Sequence, residues 1–525
     1  MSGQTFVIVG ASLAGAKAAE ALREYGFEGR VVLVGSEPQR PYLRPPLSKD
    51  YLRGDAGLEK VYVHDESFYE SHAIELRTST TVEHIEPASS EVLLAGGERL
   101  RYDRLLLSTG AQPRQLSIPG AQLGEIYYLR SLTDSDRLRE RLGHDGRLVV
   151  VGAGWIGCEV AASARQMGLE VTMIDPGLVP LEHVLGAEAG GIYRDIHTDH
   201  GVQMLLGTGV ESFEGAEAVQ RVRVSGGRAI DCDFVVVGVG ATPNTELATG
   251  TGIAIENGII TDEFLQSTAD GVFAAGDVAN ARYPLFGQLR VEHWANALNQ
   301  GPVAARNMLG GADAGDRVLD HPVAYDRVPY FYSDQYDVGM EYSGYATDWD
   351  EVVFRGDVAA RRFIAFWLKE QRVLAAMNVN VWDVTDQIQA LIRSRLRVDS
   401  DHLADPDTPL TELAPEFHLR EAQAAAGPAV GVRAKPNQGE AGKQPAASSS
   451  WPHSRLEVEV EDVVRALRGY GVLTRARLVE ACGAAHWPDR SFTQALREAV
   501  STGRVKRLGD DLYEIPEPPS PPRSM

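Results

Sequence analysis

At 525 residues, 44% of them hydrophobic, the chain is long enough for three or four domains with well-filled cores. Its net charge of −22 disfavours nucleic-acid or anionic-membrane binding by the main body, and it has no apolar run of the roughly 18 residues that a bilayer-spanning helix needs. Cys158, Cys232 and Cys482 are far apart and form neither a disulfide framework nor a metal or iron-sulfur ligand set, so any iron-sulfur centre must belong to a partner.

The first predicted element is a strand that begins within five residues of Met1, which leaves no room for a signal peptide and predicts a cytoplasmic protein. It runs from Phe6 to Val9 into the turn Gly10-Ala-Ser12-Leu-Ala14-Gly15, and a second apolar strand, Val31 to Val34, leads to Glu37. This order of strand, glycine turn, helix, strand and acid is the dinucleotide-binding pattern. The first glycine permits the tight turn, the second lets backbone approach a pyrophosphate, and the third lets helix and strand pack closely. Ser12 stands in place of the middle glycine, where a small hydroxyl still fits and can donate to a phosphate. Residues 1–115 continue with a small β-rich insertion (Val82 to Ile85, Val92 to Leu94) and close on strand Leu105 to Leu107 and Ser108-Thr109-Gly110.

Residues 116–243 repeat the pattern. Strand Leu148 to Val151 enters Gly152-Ala-Gly154-Trp-Ile156-Gly157, strand Val171 to Ile174 ends at Asp175, and Phe234 to Val237 leads into Gly238-Val-Gly240-Ala-Thr-Pro243-Asn244. Two such units in order predict two dinucleotides. Glu37 and Asp175 are expected to accept hydrogen bonds from adenosine ribose hydroxyls. An acid at 175, followed by Pro176-Gly177-Leu178 with no arginine, favours NADH over NADPH. Val272-Phe-Ala-Ala-Gly276-Asp277 then returns the chain to the first domain, which is therefore discontinuous (1–115 and 244–325).

Residues 326–418 show strands (Val352 to Phe354, Phe363 to Trp367, Val373 to Met377) and a helix, Asp383 to Arg393, an α+β unit. A linker rich in Ala, Gly, Pro, Gln and Ser spans 419–454. Within 455–516, Val460, Val463, Val464 and Leu467 keep helical spacing, Arg475 to Cys482 and Phe492 to Val500 make two further helices, and Arg504 to Leu508 and Leu512 to Ile515 make a hairpin. Three helices and a hairpin resemble a winged helix-turn-helix module, with a disordered tail at 517–525. Arg455 to Ile515 holds ten basic and ten acidic residues, so the module carries none of the excess acidity. Arg490, Thr493, Gln494 and Arg497, with Arg504, Lys506 and Arg507 in the wing, could read DNA. Such modules also bind proteins, and the partner stays open between the two.

From about residue 5 to 415 the chain resembles the FAD-dependent reductases of ferredoxins and rubredoxins, to which apoptosis-inducing factor is related. The resemblance rests on Pro41-Tyr-Leu-Arg44-Pro-Pro46-Leu-Ser-Lys49, Ser108-Thr109-Gly110, the Gly152 turn with Glu159, Gly240-Ala-Thr-Pro243-Asn244, Gly276-Asp277 and Tyr330-Phe-Tyr332-Ser-Asp334-Gln335. It implies an α/β fold with FAD in the first Rossmann-like domain, NAD(P)H in the second and a third, interface-forming domain behind the flavin. By that similarity Arg44 and Lys49 contact FAD, Val82 meets the adenine through its backbone, Arg130 touches the cofactor and Asp277 holds the ribityl chain. Trp294, just ahead of a helix predicted over Ala295 to Leu309, either places helix amides at the flavin or is an ordinary half-buried aromatic.

The resemblance also places Lys49 beside the flavin. Glu159 is expected on the first turn of the helix after Gly157, facing the domain interface, and a buried lysine is tolerable only if paired. The pair either fixes the nicotinamide and tunes flavin charge or is a structural ion pair. Related folds that reduce disulfides carry a redox cysteine against the flavin, and Pro41 to Lys49 has none, while Cys158 is expected to be helix packing. Electrons must then leave the flavin directly, and a [2Fe-2S] ferredoxin-like carrier serving an oxygenase or cytochrome P450 is the expected acceptor. Arg282, Arg290, Arg393, Arg395 and Arg397 are candidates for docking an acidic carrier. Two alternatives remain: an NADH- or redox-responsive regulator that binds DNA through the C-terminal module, and a carrier-independent NADH oxidase or diaphorase. A homo-oligomer is left open.

Overall fold

The computed structural model describes residues 3–310 and 322–413 and, farther on, single positions and short runs between Val463 and Glu514. The predicted linker 419–454 and tail 517–525, Cys482, Arg490, Thr493 and Gln494 lie outside the described residues.

Two parallel five-stranded sheets of one design come from the two repeats. The first has the order Val272–Ala274, Arg104–Leu107, Thr5–Val9, Arg30–Val34, Ile74–Arg77. Alternate residues serve opposite faces. Phe6, Ile8, Val31 and Leu33 pack with helices Leu13–Glu24 and Trp294–Met308, whereas Val7, Val9, Val32 and Val34 pack with the small sheet formed by Val82–Glu86, Glu91–Leu94 and Arg99–Arg101. Burial on both faces is why these strands read as unbroken apolar runs. The second sheet, in the order Gln203–Leu206, Glu170–Asp175, Arg147–Val151, Phe234–Val237, Ile126–Tyr128, repeats the arrangement. Val149, Val151, Val235 and Val237 face a three-stranded antiparallel layer built from Val210–Gly215, Val219–Val224 and Ala229–Asp231.

The chain crosses between the sheets twice, and the crossings pair antiparallel as Ala111–Pro113 with Ala241–Pro243. Asn244 fastens them: its Nδ2 donates to the Thr109 carbonyl at 2.9 Å, and the Thr109 hydroxyl donates to the Asn244 carbonyl at 2.7 Å.

Residues 330–379 form an antiparallel sheet in the order Tyr330–Gln335, Val338–Gly344, Arg372–Val379, Arg362–Lys369, Glu351–Asp357. Its first two strands escape an apolar-alternation search because Ser333, Gln335 and Ser343 occupy buried positions with polar side chains. One face packs on helix Thr385–Ser394 through Phe366, Leu368, Ile388 and Leu391. The other places Phe363, Trp367 and Met377 in a common core with Leu185 and Tyr193 of the second repeat. Helix Thr385–Ser394 starts two residues later than predicted, since Asp383 adopts φ +62°, outside the right-handed helical region.

In the C-terminal unit Leu473–Thr474, Lys506–Arg507 and Leu512–Glu514 form an antiparallel sheet with the last strand in the middle. Val463, Leu478, Phe492, Leu496 and Ala499 are helical and buried. Among the described residues no helix is long and apolar enough to cross a membrane.

Candidate active site

Both glycine turns are built for close approach. Gly10, at φ +118°, lies where an added Cβ would be 2.1 Å from the Ser108 carbonyl oxygen, and a Cβ on Gly15 would lie 2.1 Å from the Gly10 oxygen. The second turn repeats this: Gly152 (φ +101°) would meet the Gly238 oxygen at 2.3 Å and Gly157 the Gly152 oxygen at 2.0 Å. Each turn opens a 12-residue helix, Leu13–Glu24 or Trp155–Gln166, whose first amides receive no side-chain cap, although Ser12 at the first N-cap position has a hydroxyl that could supply one. Uncapped amides at a helix N-terminus, with a small hydroxyl beside one set, suit an anionic pyrophosphate.

Between the turns lies a cleft of about 550 Å³. Of the residues expected at FAD, Ser12, Ala14, Arg44, Lys49, Thr109, Gly110, Arg130, Gly276, Asp277 and Trp294 line it; of those expected at NAD, Gly154, Ile156, Glu159 and Gly240 do. Gly10, Gly15, Gly152 and Gly157 stand behind that lining, where they shape the turns. Val82 does not line the cleft; it is buried in the small sheet with Val9 and Val34. Glu37 is engaged by the Tyr42 hydroxyl and by Arg44 Nη2 at 2.9 Å. Asp175 accepts from the amides of Ala153 at 2.6 Å and Gly177 at 2.7 Å, which anchors the carboxylate to the second glycine turn.

Arg130 and Asp277, assigned separately from sequence, meet in a 2.7 Å ion pair on the cleft wall. Buried polar atoms there lack partners within the protein: Arg130 Nε and His293 Nδ1. Burial lowers the His293 pKa to about 4, against the pull of the Asp277 charge, so its ring is neutral near pH 7. Unpartnered buried donors and acceptors facing a cleft fit a polar cofactor that completes their bonding. Helix Trp294–Met308 begins one residue before its predicted start, with His293 at the N-cap, so Trp294 belongs to its first turn.

Lys49 and Glu159 are the charged centre of the cleft, 2.8 Å apart and both buried. The helix starts at Trp155, which puts Glu159 in its second turn rather than the first. Glu159 also accepts from Ser48 Oγ at 2.5 Å and Ser333 Oγ at 2.6 Å, so it holds two hydroxyl hydrogen bonds besides its ion pair. Ser48 and Ser333 fall inside quoted motifs but carried no role in the sequence. His293 had no sequence signal, because a single histidine declares its burial only in the folded chain. Cys158 is fully buried with Sγ 3.6 Å from the Ala153 carbonyl, and burial pushes its thiol far above the usual range. This burial fits the packing role expected of it. Among the described residues no cysteine lines the cleft.

The candidate docking arginines are less available than their sequence positions suggest. Arg290 pairs with Glu292, Arg393 with Asp326 at 3.1 Å, and Arg395 donates to the Leu285 carbonyl; Arg282 and Arg397 are exposed.

The family model for pyridine nucleotide-disulphide oxidoreductases matches residues 4–301, and that for the reductase C-terminal domain matches 330–414. Rhodocoxin reductase of Rhodococcus erythropolis is 35% identical over 407 residues, 77% of this chain and 92% of that protein. Putidaredoxin reductase CamA of Pseudomonas putida is 36% identical over 414 residues, 78% of this chain and 96% of that protein. The crystal structure of a covalent putidaredoxin reductase-putidaredoxin complex superposes with a TM-score of 0.74 at 35% identity, covering 80% of this chain and all of that one. A doubled glycine-turn architecture, a shared cleft with a buried Lys49–Glu159 pair, and relatives of this kind along nearly their whole length lead to one conclusion: the chain belongs to the FAD-dependent ferredoxin reductases of the pyridine nucleotide-disulphide oxidoreductase family.

Proposed function

We propose that this chain is a cytoplasmic NADH-dependent reductase that delivers electrons to a [2Fe-2S] ferredoxin-like carrier feeding an oxygenase or cytochrome P450. One observation carries this reading: both glycine turns open on a single cleft that holds a buried Lys49–Glu159 pair and, among the described residues, no cysteine. FAD, when bound, accepts a hydride from NADH and releases electrons one at a time to the carrier. The chain's own residues hold and orient. Helix amides at 13–15, with Ser12, are to bind the FAD pyrophosphate and those at 155–157 that of NADH. Arg44, Arg130 and Asp277 position the first cofactor. Lys49 and Glu159 keep a compensated, buried charge pair at the cleft wall.

Anaerobic NADH should bleach the flavin of the FAD-loaded protein, and a [2Fe-2S] ferredoxin should raise its cytochrome c reductase rate at least about tenfold. Equal rates with and without ferredoxin would leave the carrier-independent oxidase. Asp175 supports the nucleotide preference, since a 2′-phosphate would face its carboxylate and like charges in contact cost several kcal/mol. Asp175→Ala is expected to narrow the NADH-over-NADPH ratio of kcat/KM by about tenfold or more; an unchanged ratio assigns the preference elsewhere.

The sheet order in the C-terminal unit, with its last strand between the other two, supports a winged-helix module. Its balanced charge favours a role in localising or regulating the reductase through a protein over DNA binding. The regulator reading would instead require nicotinamide-dependent affinity for duplex DNA together with poor ferredoxin turnover.

A further inference from the structure

A directional chain of hydrogen bonds runs from Glu159 into the core, away from the cleft. Ser333 Oγ lies 2.6 Å from Glu159 Oε1, Gln335 Nε2 lies 3.2 Å from Ser333 Oγ, Gln335 Oε1 lies 2.9 Å from His197 Nε2, and His197 Nδ1 lies 3.1 Å from the Tyr336 hydroxyl. Ser333 and Gln335 are 1% exposed and His197 is 0% exposed. These groups come from different parts of the fold: Glu159 and His197 from two helices of the second repeat, Ser333 to Tyr336 from the C-terminal sheet and the turn after its first strand.

The charge at one end sets every bond in the series. An ionised carboxylate only accepts, so the Ser333 hydroxyl gives its one hydrogen to Glu159 and must itself accept. It accepts from the Gln335 amide. The reversed amide would offer Ser333 a second acceptor with no hydrogen left to share. Gln335 Oε1 then needs a donor, and neutral His197 supplies it only as the Nε2–H tautomer, which leaves Nδ1 to take the Tyr336 hydrogen. Burial lowers the His197 pKa to about 4 despite the bond to Gln335, and burial also raises the Tyr336 phenol, so each keeps the protonation this order requires. Tyr336 is fixed in turn by stacking on His200, with centroids 3.7 Å apart.

We propose that His197 is a positioning residue for electron entry from NADH: its Nε2–H orients the Gln335 amide, which presents the Ser333 hydroxyl to Glu159 and keeps that carboxylate on Lys49. The proposal rests on the reductase reading for the role of Lys49 and Glu159, but it concerns only reduction by NADH and is indifferent to the acceptor. Absence of a ferredoxin effect would overturn that reading and leave this inference standing.

The test compares His197→Leu, His197→Gln and Gln335→Met in the FAD-loaded full chain. Glutamine at 197 keeps an N–H donor near the position of Nε2, whereas leucine keeps only bulk. His197→Leu and Gln335→Met are expected to slow flavin reduction at saturating NADH about tenfold, the ratio given by about 1.4 kcal/mol of lost alignment. NADH affinity should stay within about twofold. The reduction potential of the bound flavin should rise in both, because Lys49 loses part of its compensating charge. His197→Gln should recover wild-type potential and most of the rate. In a Glu159→Gln background, His197→Leu should add no further loss. A lower melting temperature with unchanged potential and rate in both Leu and Met variants, or full additivity with Glu159→Gln, would overturn the proposal.

Discussion

Replacing Glu159 with alanine is expected to slow the reduction of bound flavin by NADH on the order of 10²-fold, the scale on which removing one preorganised electrostatic group acts. The substitution leaves the buried Lys49 ammonium with the Pro45 carbonyl at 3.3 Å in place of a carboxylate at 2.8 Å, takes the acceptor from the Ser333 hydroxyl and leaves that of Ser48 only the Pro45 carbonyl at 3.4 Å. Breaking a buried ion pair from one side costs about 3 kcal/mol or more of stability. Glu159→Gln separates the two effects: it keeps the volume but removes the charge and one acceptor. Anaerobic stopped-flow bleaching checks the rate and thermal unfolding checks the stability. A normal bleaching rate with a lowered melting temperature would make the pair structural only.

Gly15→Ala should yield a protein that purifies without its yellow colour. Its new Cβ would lie 2.1 Å from the Gly10 carbonyl oxygen, 3.0 Å from Ser108 Oγ and 3.1 Å from Leu33 Cδ1, and the first of these is backbone that cannot rotate aside. The helix must therefore retreat from the strand, carrying the uncapped amides at 13–15 away from the place where a pyrophosphate would lie. Gly57→Ala is the matched control. Gly57 has φ −78° and no atom within 4 Å of its added Cβ, so that variant should keep FAD and change stability by no more than about 0.5 kcal/mol. Flavin-to-protein absorbance ratios distinguish the two, and a flavin-replete Gly15→Ala protein would refute the role given to the first turn.

Much of the architecture was legible because its signals are local. An apolar strand, a glycine turn and an acid are consecutive in sequence, and burial on both faces writes itself as the unbroken runs Phe6–Val9 and Leu148–Val151. The Lys49–Glu159 pairing was legible only through family resemblance, since 110 positions separate the partners and no spacing rule links them. Element ends were less legible. The start of helix Thr385–Ser394 depends on the left-handed backbone of Asp383, and that of Trp294–Met308 on the extended backbone of His293 at its N-cap. The first two strands of the C-terminal sheet were hidden because polar residues fill positions that face a hydrogen-bonded interior.

By itself the amino-acid order determined that two nucleotide-binding repeats and an α+β unit follow one another, that no redox cysteine lies in the Pro41 to Lys49 stretch, and that acids follow both second strands. Only the tertiary structure decided that Arg130 would be bound to Asp277, that Asp175 would be anchored to the second turn, and that His197 would reach Glu159 through Gln335 and Ser333. The physical reason is one of range. Chain geometry and burial act over a few residues and leave a periodic trace, whereas a hydrogen bond between distant side chains depends on where separate sheets come to rest against each other, which no local pattern records.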